Sequence, residues 1–157
     1  MITYELVGQA IALATPSIEA ILATDEALWG PRYVEIVIKC PNGPYAYIVG
    51  NVTPWQEEWG EEVDFGDLAW GKANLSYRTG LPNSVVINQH PSLLRAGDPL
   101  DAGGVAEPLS LAVGVSGAKE EADEGIAWLV FNIIYMLVSL KITRVKKGSL
   151  GGVGSGG

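Results

Sequence analysis

This chain predicts an α+β domain, and three stretches carry the prediction. The first is a hairpin. Tyr33 to Cys40 (YVEIVIKC) and Tyr45 to Val52 (YAYIVGNV) are rich in β-branched and aromatic residues and flank Pro41-Asn42-Gly43-Pro44. An Asn-Gly step readily takes positive φ in such a turn. The second is Leu109 to Ala127, LSLAVGVSGAKEEADEGIA, a strand, a small-residue turn and an acidic helix start. Leu111, Val113 and Val115 alternate with Ala112, Gly114 and Ser116, the period of two of a strand with unlike faces. One face is bulky and suits a core. The other is nearly bare, so a helix, a second backbone or a flat ligand could lie close against it. Gly117 allows the turn. Glu120, Glu121, Asp123 and Glu124 place negative charge in the next helix's first turn, where the macrodipole favours it. The third is Ile126 to Leu140, a helical run apolar on nearly every face.

At 157 residues the chain fits one domain, long enough for a substantial core. Its organisation reads as a single domain over 1–147 and a flexible Gly-rich tail over 148–157. A net charge of −8 disfavours a general nucleic-acid binder, which needs a basic face, and disfavours anionic lipid surfaces. Cys40 is the lone cysteine, so no intrachain disulfide forms. With no basic segment ahead of an apolar leader, the expectation is a cytoplasmic protein. The apolar stretch from Gly125 to Leu140 falls short of the roughly 20 residues of a membrane span and begins on acids. It reads as a buried helix, with a membrane role unlike it despite the basic flank of Lys141, Arg144, Lys146 and Lys147.

In chain order, Thr3 can cap a first helix carrying Leu6, Ala10, Leu13 and Ala14 at helical spacing. Pro16 either kinks it or opens a second helix capped by Thr15, and Gly30-Pro31 ends the helical region. After the hairpin, Asp64 or Asp67 caps a helix through Lys72, Ala73 and Leu75 to Thr79, stopped by Gly80-Leu81-Pro82. Val85, Val86 and Ile87 fit a short strand, and a loop from His90 through Gly103-Gly104 leads to the last strand. A helix greasy all round is expected to be buried all round. A small sheet covers one side only, so the 125–142 helix predicts a homo-oligomer.

Few residue constellations suggest chemistry. Gly114-Val115-Ser116-Gly117 lacks the second glycine of a nucleophile elbow, because Ala118 stands there, and His90 precedes the serine. No catalytic residue is assigned. His90 is the single imidazole, so a multi-histidine metal site within one chain is excluded. It is either a solvated loop residue or an axial ligand to a macrocycle metal. The acids between Glu57 and Asp67 lack EF-hand spacing and fit a solvated loop. Trp55, Trp59 and Trp70 can stack on a flat ligand or make core or subunit contacts. Cys40, beside the first strand, reads as a buried thiol.

Several of these pieces together resemble the GlcG/HbpS-like family, which includes haem-binding proteins and a domain appended to some corrinoid adenosyltransferases. Gly114-Val115-Ser116-Gly117 with Asp123-Glu124 matches its last strand and helix, and Gly103-Gly104-Val105 matches its Gly-Gly segment, with Ala106 in place of proline. Lys72-Ala73 with Tyr77 matches its second helix, while the hairpin turn Cys40-Pro41-Asn42-Gly43 lacks the family's aspartate. The resemblance implies a central, largely antiparallel sheet flanked by helices, a profilin-like three-layer architecture, and assembly into oligomers. It implies haem or another tetrapyrrole as ligand, with His90, Lys72, Tyr77, Gly103 and Gly104 as binding residues and His90 as the axial ligand. The first expectation is thus an oligomeric small-molecule binding protein. The alternatives are a haem- or iron-dependent redox or degrading enzyme, by analogy alone, and a ligand-free assembly protein.

Overall fold

The computed structural model of the chain describes residues 2–53, 63–107 and 110–151. Its core element is an antiparallel sheet in the order β2-β1-β4-β3, built from β1 (Arg32–Lys39), β2 (Tyr45–Asn51), β3 (Gly104–Glu107) and β4 (Leu111–Ser116). Helices α1 (Tyr4–Leu22) and α4 (Glu120–Gly151) cover one face, and α2 (Phe65–Thr79) covers the other, with the short α3 (Asn83–Gln89) beside α2. The α+β expectation holds, with helices packed against an open antiparallel sheet.

The two faces follow from side-chain alternation. Ile36 pairs with Val115 and Ile38 with Val113, and all four sit in the main apolar core with Leu6, Ile18, Ile126 and Ile134 of the two covering helices. The intervening positions Val37 and Gly114 also pair, and face α2. The bare face of β4 therefore takes a helix. A Cβ on Gly114 would lie 2.1 Å from the Ala69 carbonyl oxygen and 2.5 Å from the Ala73 nitrogen, so only glycine lets α2 come this close.

The ends of the helices are set locally. Thr3 Oγ1 accepts from the Leu6 amide at 3.2 Å, and Asp64 accepts from the Asp67 amide at 3.1 Å, which settles the choice between Asp64 and Asp67. Gly80, at φ 70°, closes α2 in the left-handed conformation.

Five sequence expectations need correction. Of the two alternatives at Pro16, a second helix capped by Thr15 is overturned, because α1 is continuous from Tyr4 to Leu22. Pro16 has no N–H to give the preceding turn, while the Thr15 hydroxyl donates to the Ile11 carbonyl at 2.7 Å. The stretch Val85 to Ile87 is helical, not a strand. Pro82 (φ −58°) leads into α3, and Asn83 Nδ2 anchors its start by donating to the Lys72 carbonyl of α2 at 3.1 Å. Tertiary anchoring overrides the β preference of three branched residues. The edge strand β3 falls within what reads as loop and strand approach, since only four residues of small or single apolar character mark it. Gly43 lies outside the left-handed region. The hairpin turn closes instead through its amide to the Cys40 carbonyl at 3.0 Å, and the Gly43–Pro44 peptide is cis.

The fifth correction concerns α4. It spans Glu120–Gly151, and within one chain it is not buried all round. Ile126, Ala127, Val130, Phe131 and Ile134 form one buried stripe, whereas Trp128, Tyr135, Met136, Leu140 and Ile142 are exposed. The sheet and α1 cover one side of the helix. Among the described residues none covers the other.

Candidate functional site

Helix α2 turns Lys72 inward, on the same helical face as Ala69, Ala73 and Ser76. Lys72 is 3% exposed, and its ammonium donates to the Val115 carbonyl at 3.1 Å and to Asp123 Oδ2 at 3.2 Å. Asp123, 1% exposed in the first turn of α4, accepts at Oδ1 from the Ala118 amide at 3.0 Å. Burial pushes its carboxyl up from 3.8 to about 7, against the downward pull of Lys72 and of the Ala118 and Gly117 amides.

Glycines pack against this ion pair for a spatial reason. Gly103 has φ +151°, and a Cβ there would lie 2.9 Å from Lys72 Nζ and 2.5 Å from the Val115 carbonyl oxygen. A Cβ on Gly104 would lie 2.5 Å from the Lys72 carbonyl oxygen and 2.8 Å from the Asn83 amide group. Asn83, fully buried, donates to the Lys72 carbonyl and to Ser76 Oγ at 2.7 Å, while its Oδ1 has no hydrogen-bond partner.

Neighbouring acids tie the start of α4 to the same region. Glu120 accepts from the Ala102 amide at 3.1 Å, and Glu124 from the Ser84 hydroxyl at 2.7 Å. Four segments are thereby fastened together: mid-α2, the start of α3, the Ala102–Gly104 approach to β3, and the turn into α4. An ammonium held by a carboxylate and a carbonyl has no lone pair to offer, so Lys72 in this state is neither nucleophile nor base. It is a buried, charged tie between layers.

Of the five residues marked in the sequence, the structure brings Lys72, Gly103 and Gly104 into one cluster. Tyr77 lies farther along α2, where Lys39 Nζ sits 4.8 Å from its ring centroid and donates to Asn74 Oδ1 at 2.6 Å. His90 is exposed at the C-terminal end of α3, opposite the end that carries Asn83, about 10 Å away along the helix. It opens a loop that exposes Leu93, Arg95 and Leu100. In that loop Arg78 Nη2 donates to Asp98 Oδ2 at 2.6 Å, and this bond holds the Asp98 carboxyl below its ordinary value.

Asp123, Asn83 and Ser76 escape sequence reasoning as site residues. The available signal was the charge of Lys72 on the apolar stripe of α2, which demands a buried counter-charge. Trp55, Trp59 and the acids Glu57, Glu58, Glu61 and Glu62 lie outside the described residues. Trp70 is 40% exposed on α2. Cys40 is buried, and burial raises its thiol pKa, as expected of an inert cysteine. Among the described residues no three His, Cys, Asp or Glu side chains gather to hold a metal ion. An open depression of about 390 Å3 lies elsewhere, lined by Thr24, Glu26, Ala27, Lys119, Glu121 and Ala122.

Fold and cluster together define a class: an open antiparallel sheet between helical layers, tied across by a buried Lys–Asp pair. No protein-family model matches the chain, and no curated protein matches it in sequence. A solved structure does share the fold. The Klebsiella pneumoniae protein ORFY, described as a DUF336 protein, superposes with a TM-score of 0.56 at 17% identity, over 85% of this chain and 90% of that one. At that identity the likeness shows the fold alone.

Proposed function

We propose that this chain is a GlcG-like domain acting as an oligomeric small-molecule binding protein, with haem or another tetrapyrrole as its ligand class. The observation that carries the reading is the fold likeness to the DUF336 protein. The contact of Lys72 with Gly103 and Gly104, three residues marked by resemblance, supports it.

In this reading the ligand lies against the loop that follows α3. His90 offers an exposed imidazole, Leu93 and Leu100 offer exposed apolar surface for a flat ring, and Arg95 offers a cation for a propionate. Bound haem would supply an iron centre, held by His90 from this chain. Lys72, Gly103 and Gly104 would hold the floor between α2 and the β3–β4 edge rather than touch the ligand, because Lys72 is sealed by its own partners.

A haem titration followed by absorbance tests the reading. A saturable Soret shift at one haem per subunit is expected, weakened in His90→Ala. No shift at any ratio sinks the tetrapyrrole. A shift that His90→Ala leaves untouched removes His90 as the ligand and keeps the tetrapyrrole.

A second reading, a ligand-free assembly protein, is favoured by one observation, the exposed apolar side of α4.

A further inference from the structure

We propose that β2 pairs antiparallel with β2 of a second copy of this chain, across a two-fold axis at Ile48, so that two open sheets become one. This surface is separate from the apolar side of α4, and the pairing does not depend on the ligand.

The first support is the direction in which the backbone of β2 points. The Val115 amide donates to the Gly103 carbonyl at 2.8 Å, so at Val115 the main chain of β4 turns toward β3. Along an antiparallel strand, successive residues bond alternately to one neighbour and the other. Gly114 therefore bonds with Val37 of β1, while Val34, Ile36 and Ile38 of β1 bond with Val49, Tyr47 and Tyr45 of β2. That leaves Ala46, Ile48 and Gly50 with N–H and C=O aimed away from the sheet. All three residues are exposed, and among the described residues no main-chain group bonds to them from outside. The opposite edge is unlike it, since β3 has only four residues and α3 packs beside it.

The second support is composition. The strand Tyr45–Asn51 holds no charged residue and no proline. Edge strands that stay single use such residues to discourage pairing. Here the outward positions are apolar instead: Ile48 is 51% exposed, and Val52 just beyond the strand is 62% exposed.

The third support is the match of the strand to itself. A strand that meets its own copy about a two-fold axis runs antiparallel. Ile48 is the middle of the seven residues, so it meets Ile48 of the second copy, Ala46 meets Gly50, and Val52 meets Pro44. Outward residues then fall opposite outward residues, which is the condition for hydrogen-bonded pairs. Slipping one strand by a single residue sets outward groups against inward ones and moves side chains to the wrong face. An unrelated strand would find the same free backbone but not this symmetric fit of small against small and Ile48 against Ile48.

Sedimentation and amide hydrogen exchange of the full chain over a dilution series test the pairing. A concentration-dependent dimer is expected. The Ala46, Ile48 and Gly50 amides should be protected in it and exchange faster on dilution, while Tyr47 and Val49, bonded to β1, stay protected throughout. Ile48→Pro should leave a folded monomer, because the N–H it removes points outward and the bonds to β1 remain. Ile48→Lys should weaken the dimer at least about tenfold, since it sets like charges opposite each other and removes the Ile48 contact. It decides the matter if circular dichroism shows that proline disturbs the fold. A wild-type monomer at every concentration overturns the pairing. A dimer that both variants leave intact overturns it too, and keeps an oligomer built through another surface. A monomer with the Soret shift refutes this inference and leaves the ligand standing, whereas a dimer sensitive to both variants but without the shift supports the pairing and refutes the ligand.

Discussion

Asp123→Ala is expected to destabilise the fold by about 3–5 kcal/mol, the range found when one member of a buried ion pair is removed. The change leaves the Lys72 ammonium dry with one carbonyl partner, and it orphans the Ala118 amide. The readout is the urea midpoint at unchanged slope. Replacing both charges, Lys72→Met with Asp123→Leu, should recover most of the loss, because the desolvation cost disappears with the charges. A double variant as weak as Asp123→Ala would show that the pair is not what the single change breaks.

The same pair predicts a pH dependence with a definite sign. Asp123 is raised from 3.8 to about 7 in the fold, so folding favours its protonated form. That contribution is complete below about pH 4 and is lost as pH rises through about 7. Stability should therefore fall between pH 5 and pH 8, on the order of the linkage slope for one titrating group, and Asp123→Asn should flatten the profile. Glu35 is also raised, by burial first and then by Asp64, and acts in the same direction. Asp98 is lowered and acts the opposite way, losing its stabilisation only in stronger acid. A flat wild-type profile would mean that Lys72 and the Ala118 and Gly117 amides fully offset the burial of the Asp123 carboxylate.

Gly114→Val is the second large effect. Its Cβ would overlap the backbone of α2 at Ala69 and Ala73, and neither helix nor sheet can yield locally. The expected loss is at or beyond the upper end of the about 1–3 kcal/mol typical of overpacking. Gly71→Ala, on the same helix, is the control. Its Cβ would meet only Pro99 Cδ at 3.7 Å, an ordinary contact, so helix propensity makes it neutral or stabilising by up to about 1 kcal/mol. Wild-type stability in Gly114→Val would mean that α2 does not lie on β4.

The sequence by itself determined the elements whose cause is local. Thr3, Asp64 and Gly80 mark helix ends because capping needs only neighbouring residues. The β1–β2 hairpin and the two unlike faces of β4 follow from alternation, which backbone geometry imposes within each strand. Lys72, Gly103 and Gly104 were legible as marked residues.

Tertiary structure alone decided the rest. Val85 to Ile87 became helix because Asn83 is anchored to α2, a contact across a turn that no local preference encodes. The bare face of β4 admitted a helix, a backbone or a ligand, and only the packing of α2 chose among them. Asp123 looked like one dipole-stabilising acid among four. Burial and a lysine 51 residues away made it a charged tie, because desolvation acts through space and not along the chain. For α4 the composition determined a greasy helix, but which side met the sheet, and which was left exposed, depended on the placement of α1 and the sheet.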